Sequence, residues 1–110
     1  MSRLPPALAA AATVFILERL PAPPARVLEL GFAGIHATPL RLAGYDVVVV
    51  EPDAAQRDRA RERAGDVLAA IPPERFDAAI VLEGASLEGV DARSLVVVGH
   101  DGSVWSSASS

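Results

Sequence analysis

The hydrophobic pattern changes period twice between Arg26 and Asp53, and the rest of the chain is arranged around that stretch. Val27-Leu28-Glu29-Leu30 is apolar at every position but one, and Val47-Val48-Val49-Val50 is apolar throughout. Short apolar runs without alternation read as strands buried on both faces. Between them, Gly31-Phe32-Ala33-Gly34 reads as a turn, and Ile35 to Ala43 as a short helix ended by Gly44. Thr38-Pro39 reads as an N-cap followed by proline in the first helical position, so the regular part is expected from Thr38 to Ala43. The second strand closes on Glu51-Pro52-Asp53. Strand, glycine turn, helix and strand make a βαβ unit.

On the N-terminal side, Pro5-Pro6 precedes a helical pattern from Ala7 to Leu20. Leu8, Ala12, Phe15, Ile16 and Leu20 form its stripe, which is expected to lie on the sheet. Pro21 to Pro24 stop the helix and form a stiff connector. Arg3 and the apolar run Leu4 to Leu17 resemble a signal peptide, but Glu18-Arg19 interrupts the run and no A-x-A site follows. The run is also too short to span a membrane. A retained, structural helix is the expectation.

After Asp53, Ala54 to Ala64 is strongly helical, and its charge run (Arg57, Asp58, Arg59, Arg61, Glu62, Arg63) reads as a solvated face. Ala60, Ala64, Val67, Leu68 and Ile71 recur at helical spacing, so the helix is expected to continue, or restart after Gly65, until Pro72-Pro73. No strand is expected there. Phe76 to Leu82 is the third strand, and Ala85 to Ser94 is too short for a crossover helix. Leu95 to Gly99 is the fourth strand. Asp101-Gly102 marks a tight hairpin, returning Ser103 to Ser106 as an antiparallel edge with a frayed tail at Ser107 to Ser110. The expected order across the sheet is Asp46–Val50, Val27–Leu30, Asp77–Leu82, Leu95–Gly99, then the hairpin.

Composition narrows the class. At 110 residues, 51% hydrophobic and 22% charged, the chain has the apolar content of a packed core and the length of one domain. Residues 1–25 supply the helix and connector, 26–99 the core, and 100–110 the hairpin and tail. A net charge of −4 argues against a nucleic-acid backbone as the partner. The absence of cysteine excludes disulfides and thiolate metal sites and fits a reducing cytoplasm. Two histidines without an acid cluster make no metal site.

The candidate chemistry lies at the strand ends. Glu51 follows Gly31 by twenty residues, the separation at which dinucleotide-type folds place the acid that holds a ribose. A pyrophosphate would need an open helix N-terminus beyond the turn, and Ile35 and Thr38-Pro39 make a poor cradle for one. The strings VLELG, VVVVEPD, FDAAIVLEG and LVVVG resemble the core of class I S-adenosylmethionine-dependent methyltransferases, over Arg26 to Gly99. Glu29 stands where the family's (D/E)-x-G-x-G-x-G signature has its acid, and Gly31 takes the first glycine position. Ala33 and Ile35 occupy the other two glycine positions, and Gly34 falls between them. The strand that precedes the family's Gly-Asp pair is missing here, although Gly65-Asp66 is present.

The resemblance implies an α/β, three-layer Rossmann-like domain that binds S-adenosyl-L-methionine. It implies that Glu51 binds both ribose hydroxyls with Pro52 beside it, and that Glu29 orients the loop or reaches the cofactor's ammonium through water. It implies that Gly31 lets the backbone approach the methionine portion, with Phe32, Ala33 and Gly34 in the same turn. By the same resemblance Asp66 and Val67 flank the adenine, and Glu83 belongs to the same cofactor site. His36 and His100, near the same rim, are candidate general bases. The implied activity is methyl transfer by a minimal family member. The alternative is an inactive member that binds a partner protein or itself, and a nicotinamide- or flavin-binding module ranks third. A short sheet whose strand Asp46–Val50 would expose an edge, with the single tryptophan, Trp105, on the opposite hairpin edge as an anchor, predicts self-association.

Overall fold

The computed structural model describes residues 6–108, with side chains from 12 to 106. Nine elements follow in order: α1 (Pro6–Arg19), β1 (Arg26–Leu30), α2 (Ala37–Leu42), β2 (Asp46–Val50), α3 (Ala54–Ala64), β3 (Val67–Leu68), β4 (Ala78–Leu82), β5 (Ser94–Val98) and β6 (Val104–Ala108). They form a six-stranded sheet in the order β3-β2-β1-β4-β5-β6, parallel except for β6 against β5. The expected order of the four long strands and the hairpin holds.

One expectation fails between Gly65 and Ile71. Gly65 caps α3, and the chain then forms a two-residue strand beside β2, with Val67 opposite Val49 and Val50 opposite Leu68. The Glu51 N–H donates to the Leu68 carbonyl at 2.9 Å and closes the pair. The periodicity of Ala60, Ala64 and Val67 is real but belongs to one core met by two elements, since all three pack in the helix-side cluster. Phe76 makes only an isolated bridge to Ala92, so the third long strand starts at Ala78. The return strand reaches Ala108, further than the tail reading allowed, and Ser109 and Ser110 lie outside the described residues.

The strands sort their side chains by alternation. Val27, Val47, Val49, Ala78, Ile80, Val96 and Val98 meet Ala12, Ile16, Ala37, Leu40, Ala60 and Ala64, so all three helices cover one face. Leu28, Leu30, Val50, Ala79 and Val81 point the other way and are covered by Phe76, Ala92, Ile71 and Val90 from loops. The expected third layer is therefore irregular chain, among the described residues. Pro72-Pro73 blocks a helix in the first of those connections, and the second, between β4 and β5, is too short to hold one.

At the amino ends of the strands, the Arg26 guanidinium pairs with Asp46 and Glu74, and its backbone N–H donates to Asp77 Oδ2 at 2.8 Å. This ties β1, β2 and the start of β4 together at the rim opposite the turns.

The N-terminal helix packs as a structural element. Ala12, Ile16 and Leu20 are buried, whereas Phe15, expected in the stripe, is 48% exposed. Leu8's side chain lies outside the described residues. No helix among the described residues is long and apolar enough to cross a membrane. Ile16→Ala is expected to cost about 2–5 kcal/mol, because it empties a fully buried site. Val14→Ala, at a side chain 58% exposed, should change stability by about 0.5 kcal/mol or less. Urea unfolding of both variants checks the pair, and equal losses would mean that α1 does not dock as described.

Candidate functional site

The turn after β1 is held from within by two carboxylates. Glu29, on the same face of β1 as Val27, reaches under the turn, and its Oε2 accepts the His36 N–H at 2.7 Å. Glu51, one residue past β2, accepts the Ala33 N–H on Oε1 at 3.1 Å and the Asp53 N–H on Oε2 at 3.3 Å. Asp53 in turn caps α3, its Oδ1 accepting from the Ala55 N–H at 3.0 Å. Glu51 is 5% exposed, so it is an interior loop-holding acid and not a solvated strand end.

Backbone conformation sets what each position of the turn requires. Ala33 sits at φ +53, in the left-handed region where a Cβ costs about 1–2 kcal/mol. Gly34 is needed for packing: a Cβ there would lie 2.9 Å from the Ala64 Cβ of α3. Gly31, at φ +82, faces open space, and its N–H donates to the Val50 carbonyl at 3.0 Å. Gly31 and Glu51 thus stand side by side at the carboxyl ends of β1 and β2.

Beside them, on the helix-free face, opens a cleft of about 420 Å³ lined by Leu30, Val50, Pro52, Ala69, Ala70, Ile71, Ser86, Glu88 and Gly89. It lies between the segments that follow β2, β3 and β4. Glu83 and His100 share the rim: the Glu83 N–H donates to the Val98 carbonyl at 2.8 Å, and His100 Nε2 lies 3.1 Å from the Glu83 carbonyl oxygen.

Other expected site residues lie elsewhere. Val67 is buried in the helix-side core and Asp66 is exposed just before β3, so Ala69 and Ala70 reach the rim in their place. The strand expected to be lost at Gly65-Asp66 is present, following that pair as the two-residue β3. Phe32 is buried and meets the His36 ring edge-on, centroids 5.0 Å apart. His36 is not a rim histidine. Helix α2 starts one residue earlier than expected, at Ala37, with His36 at its cap and Pro39 within the first turn, where the missing N–H costs nothing. This turns the imidazole inward, where it is fully buried with Nδ1 2.9 Å from Thr13 Oγ1 of α1. Burial holds its pKa down to about 4, so the ring is neutral.

The exposed charge run of α3 also contributes. Arg57 Nη1 donates to the Glu51 and Pro52 carbonyls at 3.1 Å, and Arg63 Nη1 to the Ala33 carbonyl at 3.3 Å. Arg41 donates to the Ala64 and Val47 carbonyls at 2.6 and 3.1 Å. The sequence signal for these roles was only arginine beside a glycine turn, which a solvated helix face shares. No group of three or more metal-ligating side chains occurs among the described residues.

Neither protein-family models nor curated proteins match this chain. The functional reading therefore rests on the geometry.

Glu29 makes a pH prediction. It is fully buried with Oε1 unpartnered, and desolvation pushes its pKa from 4.5 up to about 7, against the opposing pull of the His36 N–H. The protonated acid favours the fold; that stability is complete below about 4.5 and is lost as pH rises toward 7. His36 acts oppositely, with stability gained as pH rises from about 4 to 6.5. The two slopes offset one another between pH 4.5 and 6.5. Glu29→Gln keeps an acceptor for His36 and mimics the protonated acid. Relative to wild type it should gain on the order of 3 kcal/mol between pH 4.5 and 7. Denaturant unfolding of both proteins from pH 4 to 8 measures this, and a pH-independent difference would mean that Glu29 titrates normally.

Proposed function

We propose that this chain is a minimal S-adenosylmethionine-binding domain of methyltransferase type, cytoplasmic and Rossmann-like in its strand order. The observation that supports the reading is that Gly31 and Glu51 stand side by side at the carboxyl ends of β1 and β2, next in the chain to Leu30, Val50 and Pro52, which line the 420 Å³ cleft. The chain runs outward from β1 to β2 and β3 on one side, and from β4 to β5 on the other. Ligands of open α/β sheets bind outside the carboxyl ends of the strands where the order reverses, which here is between β1 and β4. The cleft is of small-molecule size and its walls are apolar with few polar groups, as an adenine requires.

In this reading the ribose hydroxyls donate to Glu51, taking their place beside the N–H groups of Ala33 and Asp53. The methionine portion crosses Gly31, where there is room for close approach. Adenine enters between Pro52 and the Ala69–Ile71 segment. His100, beside Glu83 on the same rim, is the imidazole placed to take a proton from a methyl acceptor.

Calorimetric titration with S-adenosylmethionine, S-adenosylhomocysteine and NAD tests the reading. The first two should bind and NAD should not. Glu51→Ala should weaken binding at least tenfold, about 1.4 kcal/mol, and Glu51→Gln less. Because Glu51 is buried and holds two N–H groups, Glu51→Ala should also lower stability by about 1–3 kcal/mol, so titrations belong well below its melting point. If the wild type binds neither sulfonium nor thioether ligand, the reading falls.

A second reading is favoured by a different observation. Trp105 is 40% exposed, and it lies on the helix-free face, where Val48, Leu95 and Val97 are only partly covered. That surface fits a module that associates with itself without turnover.

A further inference from the structure

We propose that β6 is a pairing edge for a second copy of this chain, the two β6 strands lying antiparallel across a twofold axis at Ser106. This makes the self-association reading specific and rests on it; it does not depend on cofactor binding.

The argument starts from the hairpin. The Gly99 N–H donates to the Ser103 carbonyl at 2.7 Å, and the Gly102 N–H to the Gly99 carbonyl at 3.0 Å. Gly99–Ser103 is therefore a hydrogen-bonded position, and such positions recur every second residue in an antiparallel pair. Trp105 opposite Val97 and Ser107 opposite Leu95 turn their N–H groups toward β5. Val104, Ser106 and Ala108 turn theirs outward, away from the sheet. A twofold axis at Ser106 sets that residue against itself and Val104 against Ala108 of the other copy. Each of these three pairs exchanges two backbone bonds, so the outward groups of one copy are met by those of the other.

The edge carries none of the usual protection against pairing. Ser103 to Ala108 has no charged residue and no proline. The opposite edge of the sheet is different: β3 is two residues long and is followed by Pro72-Pro73. The two chains, each at net charge −4, meet here on an uncharged strand.

Exposed aromatic residues flank the edge on both faces. Trp105 stands on the helix-free face. On the other face, α1 packs over β5 and β6. Thr13, Val14 and Leu17 of α1 line a cleft with Ile35 and Pro39 beside α2. Helical spacing puts Phe15 on the opposite flank of α1, toward β6, and it is 48% exposed. Aromatic side chains on either side of a self-complementary backbone edge are the anchors that such interfaces use.

The chain has no cysteine, so a single introduced thiol reports cleanly. In a hydrogen-bonded pair the two Ser106 Cα atoms would lie about 5.5 Å apart, within disulfide range. Under mild oxidation Ser106→Cys should form mostly disulfide-linked dimer, while Glu62→Cys, exposed on α3, should gain no disulfide crosslink. Sedimentation of the unmodified chain should show a dimer at concentrations on the order of 100 µM. Ser106→Pro, which removes an outward N–H and no bond to β5, should weaken that dimer at least tenfold. A monomeric wild type overturns both the self-association reading and the edge. A dimer that persists while Ser106→Cys fails to crosslink overturns the edge alone, and this holds even if Ser106→Pro does not fold.

Discussion

Two buried carboxylates hold the turn after β1, and the carboxyl rim of the sheet depends on them. Glu29 fixes the end of the turn through the His36 N–H, and Glu51 fixes its middle through the Ala33 N–H. Because Glu51 also accepts from Asp53, and Asp53 caps α3, the turn, the end of β2 and the start of α3 form one linked unit. Arg57 and Arg63 of α3 close the unit by gripping the Glu51, Pro52 and Ala33 carbonyls. Ala33 in the left-handed region is tolerated because its N–H and C=O are both held. The cost of the arrangement falls on Glu29, which is desolvated and drawn toward its neutral form near physiological pH.

The sheet is asymmetric for a reason of chain length. Helices fill the connections on one face, and their small residues, Ala37, Ala60 and Ala64, let them approach closely. The connections on the other face hold prolines and glycines and no helix. Their loops cover Leu28, Leu30 and Val50 but do not fill the space beyond them. The cleft proposed for the cofactor and the exposed Trp105 therefore have one origin: the second face is covered by less chain than the first.

This asymmetry also separates the two proposed properties in space. The cleft opens where β1, β2 and β4 end, while the pairing edge lies two strands beyond β4, on β6. A dimer formed through β6 leaves the Gly31–Glu51 rim uncovered. Binding and assembly could then be lost separately by substitution.

Much of the fold was legible in the sequence because its signals are local. Unbroken valine runs name strands, Asp101-Gly102 names a hairpin, and Gly31 with Glu51 twenty residues later names a βαβ rim. What tertiary structure decided were the choices between equal local options. Val67-Leu68 continues a helical period, yet becomes a strand because the edge of β2 offers backbone partners that outweigh propensity. His36 reads as a rim histidine, yet is turned inward because α2 begins at Ala37 and Thr13 waits on α1. Phe15 reads as core, and that reading reverses once the position of α1 is set. Period and composition say which residues prefer burial; only the packing of distant segments says which of them obtain it.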